Sequence, residues 1–284
     1  MGKCLITKLN GSVSNKELLR IGEMRMKIAK VENHTAATQG FTIIVNKPVV
    51  LKIIGDGYFT DNTLAVNKGK TITLNVGSNG VWVSNDNVEI AILDKYSITA
   101  LSSLYPNKTS AECGCNIYFN LSDLKYSTAL TYLSMPNSQV TGDIANLKNL
   151  TALTSLSLSN TNVTGDIANL KNITRLDKEL MLKGLNLTGN IGDLPNEVLF
   201  VTNKEGKGNF TWTTSSRTNI LAMENIACDN IDKLLQDMSK MNANFAGQQA
   251  YHKTISLIGT RTSASDAAVQ TLQSKGYTVS IIPA

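Results

Sequence analysis

The residues of this 284-residue chain whose types could do chemistry are few: two histidines, four cysteines and a short set of aspartates. Histidine is the usual acid–base group near neutral pH, but His34 and His252 sit in no recognisable catalytic motif. Cys113-Gly114-Cys115 is the one suggestive thiol pair, with Cys4 and Cys228 far from it in sequence. Two thiols are too few for a structural zinc, so the expectation is free thiols in a reducing compartment. Asp56 and Asp61 in GDGYFTDN lack the alternating ligands and closing Glu of an EF-hand, and that stretch is expected to be a hairpin turn. Asp143 and Asp166 recur in step within two identical copies of VTGDIANLKN, at 140–149 and 163–172. Paired carboxylates can shuttle a proton or hold a cation, yet a turn that repeats does so first for structural reasons. The sequence contains neither a G-x-S-x-G elbow nor a GxxxxGK[ST] phosphate loop. The expectation is a chain without catalytic residues, cofactor or metal.

What must position any functional residue is the repeat itself. LTYLSMPNSQVTGDIANLKNLT (130–151) and LTSLSLSNTNVTGDIANLKNIT (153–174) align with a period of 23. Apolar residues recur at Leu130, Leu133, Met135, Val140, Ile144, Leu147 and Leu150, then at Leu153, Leu156, Leu158, Val163, Ile167, Leu170 and Ile173. A third copy, stretched by one residue, supplies Leu176, Leu180, Leu182, Leu187, Ile191 and Leu194. L-x-x-L-x-L puts two leucines on one face of a short strand. Gly142, Gly165 and Gly189 then turn the chain through backbone angles that other residues resist. A single such coil cannot bury its own leucines, whereas stacked coils cover one another. Ile117, Leu121 and Leu124 lie one period upstream, and Leu101 and Leu104 are candidates for a coil interrupted by PNKTSAECGC.

These residues resemble the leucine-rich repeat family, strongly over 129–195 and more weakly over 95–284. The T-G-x-I segment is similar to plant-type repeats and the short Asn-rich coil to bacterial ones. The resemblance implies an inter-coil Asn ladder at the position that here holds Ser138, Thr161 and Leu185. Hydroxyls can replace part of that ladder and Leu185 cannot, so the third coil is expected to be irregular.

The flanks read differently. Residues 1–94 carry the strict alternation of EMRMKIAKV and the strand candidates FTIIVN, PVVLKII, KTITLNV and VEIAIL between Asn, Gly and Asp turns. They are expected to form a β-sandwich-like unit for attachment or oligomerisation. Residues 95–284 are expected to be the solenoid: regular coils at 129–195, then a strand and helix cap at 196–284. In the cap, DNIDKLLQDMSKM and SASDAAVQTLQSKG read as helices capped by Asp229 and Ser263, around the strands TISLIG and YTVSII. The fold class is therefore mixed β and α/β.

The strand face remains as the surface for function. Its outward positions are Tyr132, Ser134 and Pro136, then Ser155, Ser157 and Ser159, then Glu179, Met181 and Lys183, expected as solvated columns. A net charge of +5 without basic runs argues against nucleic acid. The start lacks a signal-peptide or myristoylation pattern, and no stretch suits membrane insertion. Synthesis in a bacterial cytoplasm is expected. The opening MGKCLITKLNGSVSNKELLRIGEMRMKI and the VTGDIANLKN coils also resemble proteins encoded by phages and prophages of gut Bacteroidetes. That resemblance implies a homo-oligomeric virion fibre or decoration protein whose partners are other virion proteins and a host surface protein or glycan. The alternatives are a cytoplasmic protein-binding scaffold using the concave face and, weakest, a polysaccharide-acting hydrolase.

Overall fold

The computed structural model of the chain describes residues 22–29, 38–54, 58–60, 65–67, 71–84, 87–103, 116–176, 179–182, 184–196, 198, 200–202, 209–213, 217–243 and 253–283. All five N-terminal strand candidates are strands. Alternation of apolar and polar residues makes β1 (Met24–Ala29) a half-buried strand, with Met24, Met26 and Ile28 inside. β2 (Thr38–Val45), β3 (Val49–Ile53), β4 (Tyr58–Thr60), β5 (Ala65–Asn67), β6 (Thr71–Leu74), β7 (Gly77–Ser84) and β8 (Val88–Ile92) follow. Next come β9 (Ile98–Ser102) and β10 (Asn116–Tyr118).

These strands do not close on themselves as a separate unit. β10, β1, β8, β3 and β6 form a five-stranded sheet. β2, β7, β4 and β5 belong instead to a twelve-stranded sheet that runs on through the repeat. β9 carries the join, pairing antiparallel with β2 and parallel with the first regular coil strand, β11 (Tyr132–Ser134). Hydrogen bonding therefore crosses the boundary expected at residue 94. The physical reason is that the first coil of a solenoid has an open strand edge and wet leucines unless something covers them. Here the N-terminal strands cover both, and their apolar faces join the coil leucines in one continuous core.

The repeat builds two ladders. β11, β13 (Ser155–Ser157) and β15 (Glu179–Met181) are parallel neighbours, with Leu133 opposite Leu156 and Leu156 opposite Leu180, all buried. Leu101 stands opposite Leu133, so the interrupted upstream coil is real at that position, while Leu104 lies outside the described residues. On the other side of each coil, β12 (Thr141–Asp143), β14 (Asn162–Asp166), β16 (Asn186–Asn190) and β18 (Asn209–Thr211) form a four-stranded parallel sheet. The first sheet continues through β17 (Phe200–Thr202), β19 (Ala222–Ala227), β20 (Thr254–Ile258) and β21 (Thr278–Ile282).

The third coil is more regular than its insertion suggests. Both of its strands keep a simple register with the second coil, and Leu185 is fully buried. The expected ladder position does not tie coils together at all. Ser138 Oγ donates to Met135 O at 2.6 Å and Thr161 Oγ1 to Leu158 O at 2.7 Å, each within its own coil. The side-chain ties run one residue to either side: Asn160 Nδ2 donates to Asn137 Oδ1 at 2.7 Å and Asn162 Nδ2 to Gln139 Oε1 at 3.1 Å. Asn137 and Asn160 hold left-handed backbone (φ 56° each), and in the third coil Gly184 takes that place at φ 72°. Asparagine tolerates this region because its short amide bonds locally.

Beyond the regular coils, Arg217 replaces the leucine of the 147, 170, 194 series and is itself buried. Its guanidinium donates to the carbonyls of Leu194 (3.0 Å), Pro195 (2.7 Å) and Val198 (2.6 Å), knitting two layers together. Two helices then pack beside the last strands. α1 (Ile231–Ser239) buries Ile231, Leu234, Leu235 and Met238, the face read from sequence. Its cap is not Asp229 but Asn230, in left-handed conformation and without a side-chain cap bond. α2 (Asp266–Ser274) is preceded by a 3₁₀ turn that Thr262, not Ser263, caps. Asp232 of α1 holds that turn in place, accepting hydrogen bonds from Thr262 N (3.0 Å), Thr262 Oγ1 (2.7 Å) and Ser265 Oγ (2.6 Å). Gly276 (φ 86°) ends α2 as expected. No helix among the described residues is long and apolar enough to cross a membrane.

Candidate recognition surface

The outward residues of the coil strands fall into columns, as their spacing requires. Tyr132 stands opposite Ser155 and Ser155 opposite Glu179; Ser134 stands opposite Ser157 and Ser157 opposite Met181. The expectation of a solvated column needs correction. Ser134 (2% exposed), Ser155 (1%) and Ser157 (3%) are buried, while Tyr132, Pro136 and Met181 keep partial exposure. Strands about 4.8 Å apart leave a hydroxymethyl group in the shadow of its neighbours. A row of serines is thus a tight seam and not an open polar surface. Glu179 is placed by its backbone in β15, and Lys183 lies outside the described residues.

The repeated aspartates prove to be structural. Asp143 Oδ1 accepts from Ala145 N at 2.7 Å and Asp166 Oδ1 from Ala168 N at 2.8 Å, each capping the 3₁₀ turn of its coil. Asn120 and Asn190 do the same one coil before and one coil after. The next coil's glycine packs on each cap: a Cβ on Gly165 would lie 2.3 Å from Asp143 Oδ1, and one on Gly189 would lie 2.0 Å from Asp166 Oδ1. The invariance of T-G-D between copies follows from that contact. Among the described residues, no group of three or more His, Cys, Asp or Glu could hold a metal ion. His34, His252, Cys4, Cys113, Cys115, Asp56 and Asp61 lie outside the described residues.

Cys228 lines a cleft of about 320 Å³ with Asn209, Asp229, Asn230 and Gly259, at the carboxyl ends of β19 and β20. Burial, seconded by the neighbouring Asp229, pushes its thiol up to about 12. A thiol held protonated at neutral pH is a packing group, not a nucleophile.

The surface that stands out lies elsewhere, where the five-stranded sheet meets the first coils. Large apolar side chains exposed among the described residues are Val76, Leu93, Tyr96, Tyr118, Tyr126 and Ile282. Four of them, Leu93, Tyr96, Tyr118 and Tyr126, come from this one junction. Burial first, then the Asp94 charge and the nearby Tyr126, raises the Tyr96 hydroxyl above its ordinary value. Each tyrosine has an ammonium beside its ring: Lys95 Nζ lies 5.9 Å from the Tyr96 centroid, Lys125 Nζ 5.3 Å from Tyr126 and Lys27 Nζ 5.9 Å from Tyr118. Burial lowers the Lys95 ammonium below its ordinary value, against the pull of Asp123. Burial would raise Asp94, but hydrogen bonds from Lys47 (2.8 Å) and Ser97 (2.9 Å) outweigh it and hold the carboxyl low. The result is an exposed Tyr96–Tyr126 pair with charged groups beside it. Sequence reading passed over it, although a signal was present: Tyr96, Tyr105, Tyr118, Tyr126 and Tyr132 are five of the chain's 8 tyrosines within one short span.

No protein-family model matches the chain, and no curated protein matches it. Among solved structures, an internalin from Listeria monocytogenes is similar at 18% identity over 68% of this chain and 50% of its own, with a TM-score of 0.33. The leucine-rich-repeat ectodomain of a membrane receptor kinase from Arabidopsis thaliana is similar at 19% identity over 57% of this chain and 25% of its own, with a TM-score of 0.29. The chain thus spans half or less of the length of these structures. The stacked-coil architecture stands on the chain's own strand register, in which leucines of successive coils meet one for one.

Proposed function

We propose that this protein is a non-catalytic recognition or assembly component that presents a protein-binding surface on a rigid stack of coils. The observation that carries this reading is the exposed Tyr96–Tyr126 surface with Leu93, set on a continuous core. Tyrosine delivers a large contact area at low entropic cost and keeps a polar end for hydrogen bonding, which is why it concentrates at interfaces. Exposed aromatic clusters on a soluble fold mark partner sites more often than chance.

The finer reading is a virion fibre or decoration protein, with the N-terminal sheet toward the particle and the coils outward. It rests on the resemblance of the opening segment and the VTGDIANLKN coils to phage-encoded proteins. Particles from a producing culture, banded on a density gradient, test it. The chain is expected to band with the particles, and Tyr96→Ala with Tyr126→Ala is expected to release it into the soluble fraction. A wild-type chain found only as free protein sinks the virion reading and leaves an intracellular scaffold as the next one to pursue.

A further inference from the structure

Of the lysines beside the exposed tyrosines, Lys95 stands apart. Lys27 is exposed and Lys125 half-buried, as surface lysines are. Lys95 is only 7% exposed and belongs to the 3₁₀ turn Lys95–Ser97. Its backbone N–H donates to Gly22 O at 2.8 Å, which fixes the start of the side chain.

A lysine buried this far is ordinarily paired. Among the described residues, Lys95 Nζ makes no hydrogen bond and no ion pair; its nearest company is the Tyr96 ring. Asp123 attracts it from outside contact range, and that carboxylate already accepts from Asn120 N at 3.3 Å. Asp94, the other acid here, is held by Lys47 and Ser97. The fully sealed side-chain atoms without partners are the hydroxyls of Thr42, Ser103 and Ser127. Lys95 Nζ is not one of them, so its tip still opens to the surface. A stem needed only for packing could be a methionine, with no charge to desolvate.

We infer that Lys95 takes a carboxylate from the partner: the tyrosine surface docks a protein segment that brings an Asp or Glu side chain to this ammonium and an apolar side chain onto the rings. Charge complementarity selects the anion. The ammonium offers three donors on a stem with little rotamer freedom left to lose. The exposed Tyr96, Tyr126 and Leu93 select the apolar neighbour, which a free anion lacks. Leu93, an aliphatic group, favours a protein side chain over a sugar ring.

This inference rests on the tyrosine surface being the docking site, and its test separates the two. The isotope-labelled full chain is titrated with acetylated, amidated Gly-Glu-Phe-Glu-Gly and with the same peptide carrying Gln for Glu. The Tyr96 and Tyr126 amide signals are followed by NMR. The Glu peptide is expected to shift both signals and to bind about tenfold more tightly than the Gln peptide. Lys95→Met keeps the bulk of the stem and removes the charge, so the preference should largely vanish while the spectrum stays dispersed. The wild-type comparison alone decides if that variant does not fold. Digalacturonate, with two carboxylates and no apolar side chain, should bind more weakly than the Glu peptide. Equal affinity for both peptides, or a preference that Lys95→Met leaves intact, overturns the inference and leaves the surface reading standing. Tighter binding of digalacturonate overturns it in favour of an acidic glycan. Shifts at neither tyrosine signal with either peptide overturn both.

Discussion

The regular coils at 129–195 and the layers beyond residue 195 share one sheet but are held together in opposite ways. In the coils, the main contacts recur one coil away: leucine on leucine and glycine on cap. In the terminal layers every contact is unique. Arg217 donates to the carbonyls of Leu194, Pro195, Val198 and Asn219, Trp212 Nε1 donates to Asp237 Oδ2 at 2.9 Å, and Asp232 holds the entry to α2. Periodic contacts spread the stabilisation evenly, so one lesion is shared by neighbours. Unique contacts concentrate it, so one lesion loosens one layer. The comparison explains why ten residues are repeated without change in the coils while the later layers share no motif.

Four experiments break or sharpen that contrast, starting with the largest effect. Gly165→Val forces a β-branched residue to φ 117° and drives its Cβ into the Asp143 carboxylate. A loss of about 4 kcal/mol in chemical denaturation is expected, from backbone strain plus overpacking. Leu156→Ala leaves a cavity between two coils and should cost about 3 kcal/mol by the same measurement; a cost below about 1 kcal/mol would mean that the coils do not share this leucine. Asp143→Ala removes one cap and should cost about 1 kcal/mol. The informative point is its coupling: Gly165→Ala should be less damaging in the Asp143→Ala background, because the clashing oxygen is gone. A strictly additive pair would show that the glycine and the cap do not touch.

The smallest effect is confined to the terminal layers and to low pH. Hydrogen bonds from Ser265 and Thr262 lower the Asp232 carboxyl below its ordinary 3.8. At Asp237, burial pulls upward, yet bonds from Lys233 and Trp212 win and lower it too. A carboxyl lowered in the folded state stabilises that state above its ordinary value, and the contribution fades as pH falls through the folded value. Hydrogen exchange should therefore quicken in α1 and α2 below pH 3.8 before it does in the coils.

Much of this molecule was legible in its sequence, and the failures share a cause. The five N-terminal strands, the buried face of α1 and the leucine stack all follow from local periodicity, a property of contiguous residues. The serine columns were placed in the right register but on the wrong side of the burial boundary, because exposure depends on what stands beside a strand. The caps of α1 and of the 3₁₀ turn before α2 were each misplaced by one residue, since Asn230 and Thr262 compete with Asp229 and Ser263 only through geometry. The tyrosine surface was missed because its members come from strand β10, a turn before β9 and the end of a 3₁₀ turn.

By itself, the sequence determined that coils would stack: a repeat of apolar residues at fixed spacing has no other way to keep its leucines dry. Only the tertiary structure decided what happens at the ends of that stack. Whether β2 pairs with β9, or β21 with β20, depends on backbone hydrogen bonds between segments apart in the chain. Such bonds are made by every residue type alike, so the letters carry almost no trace of them.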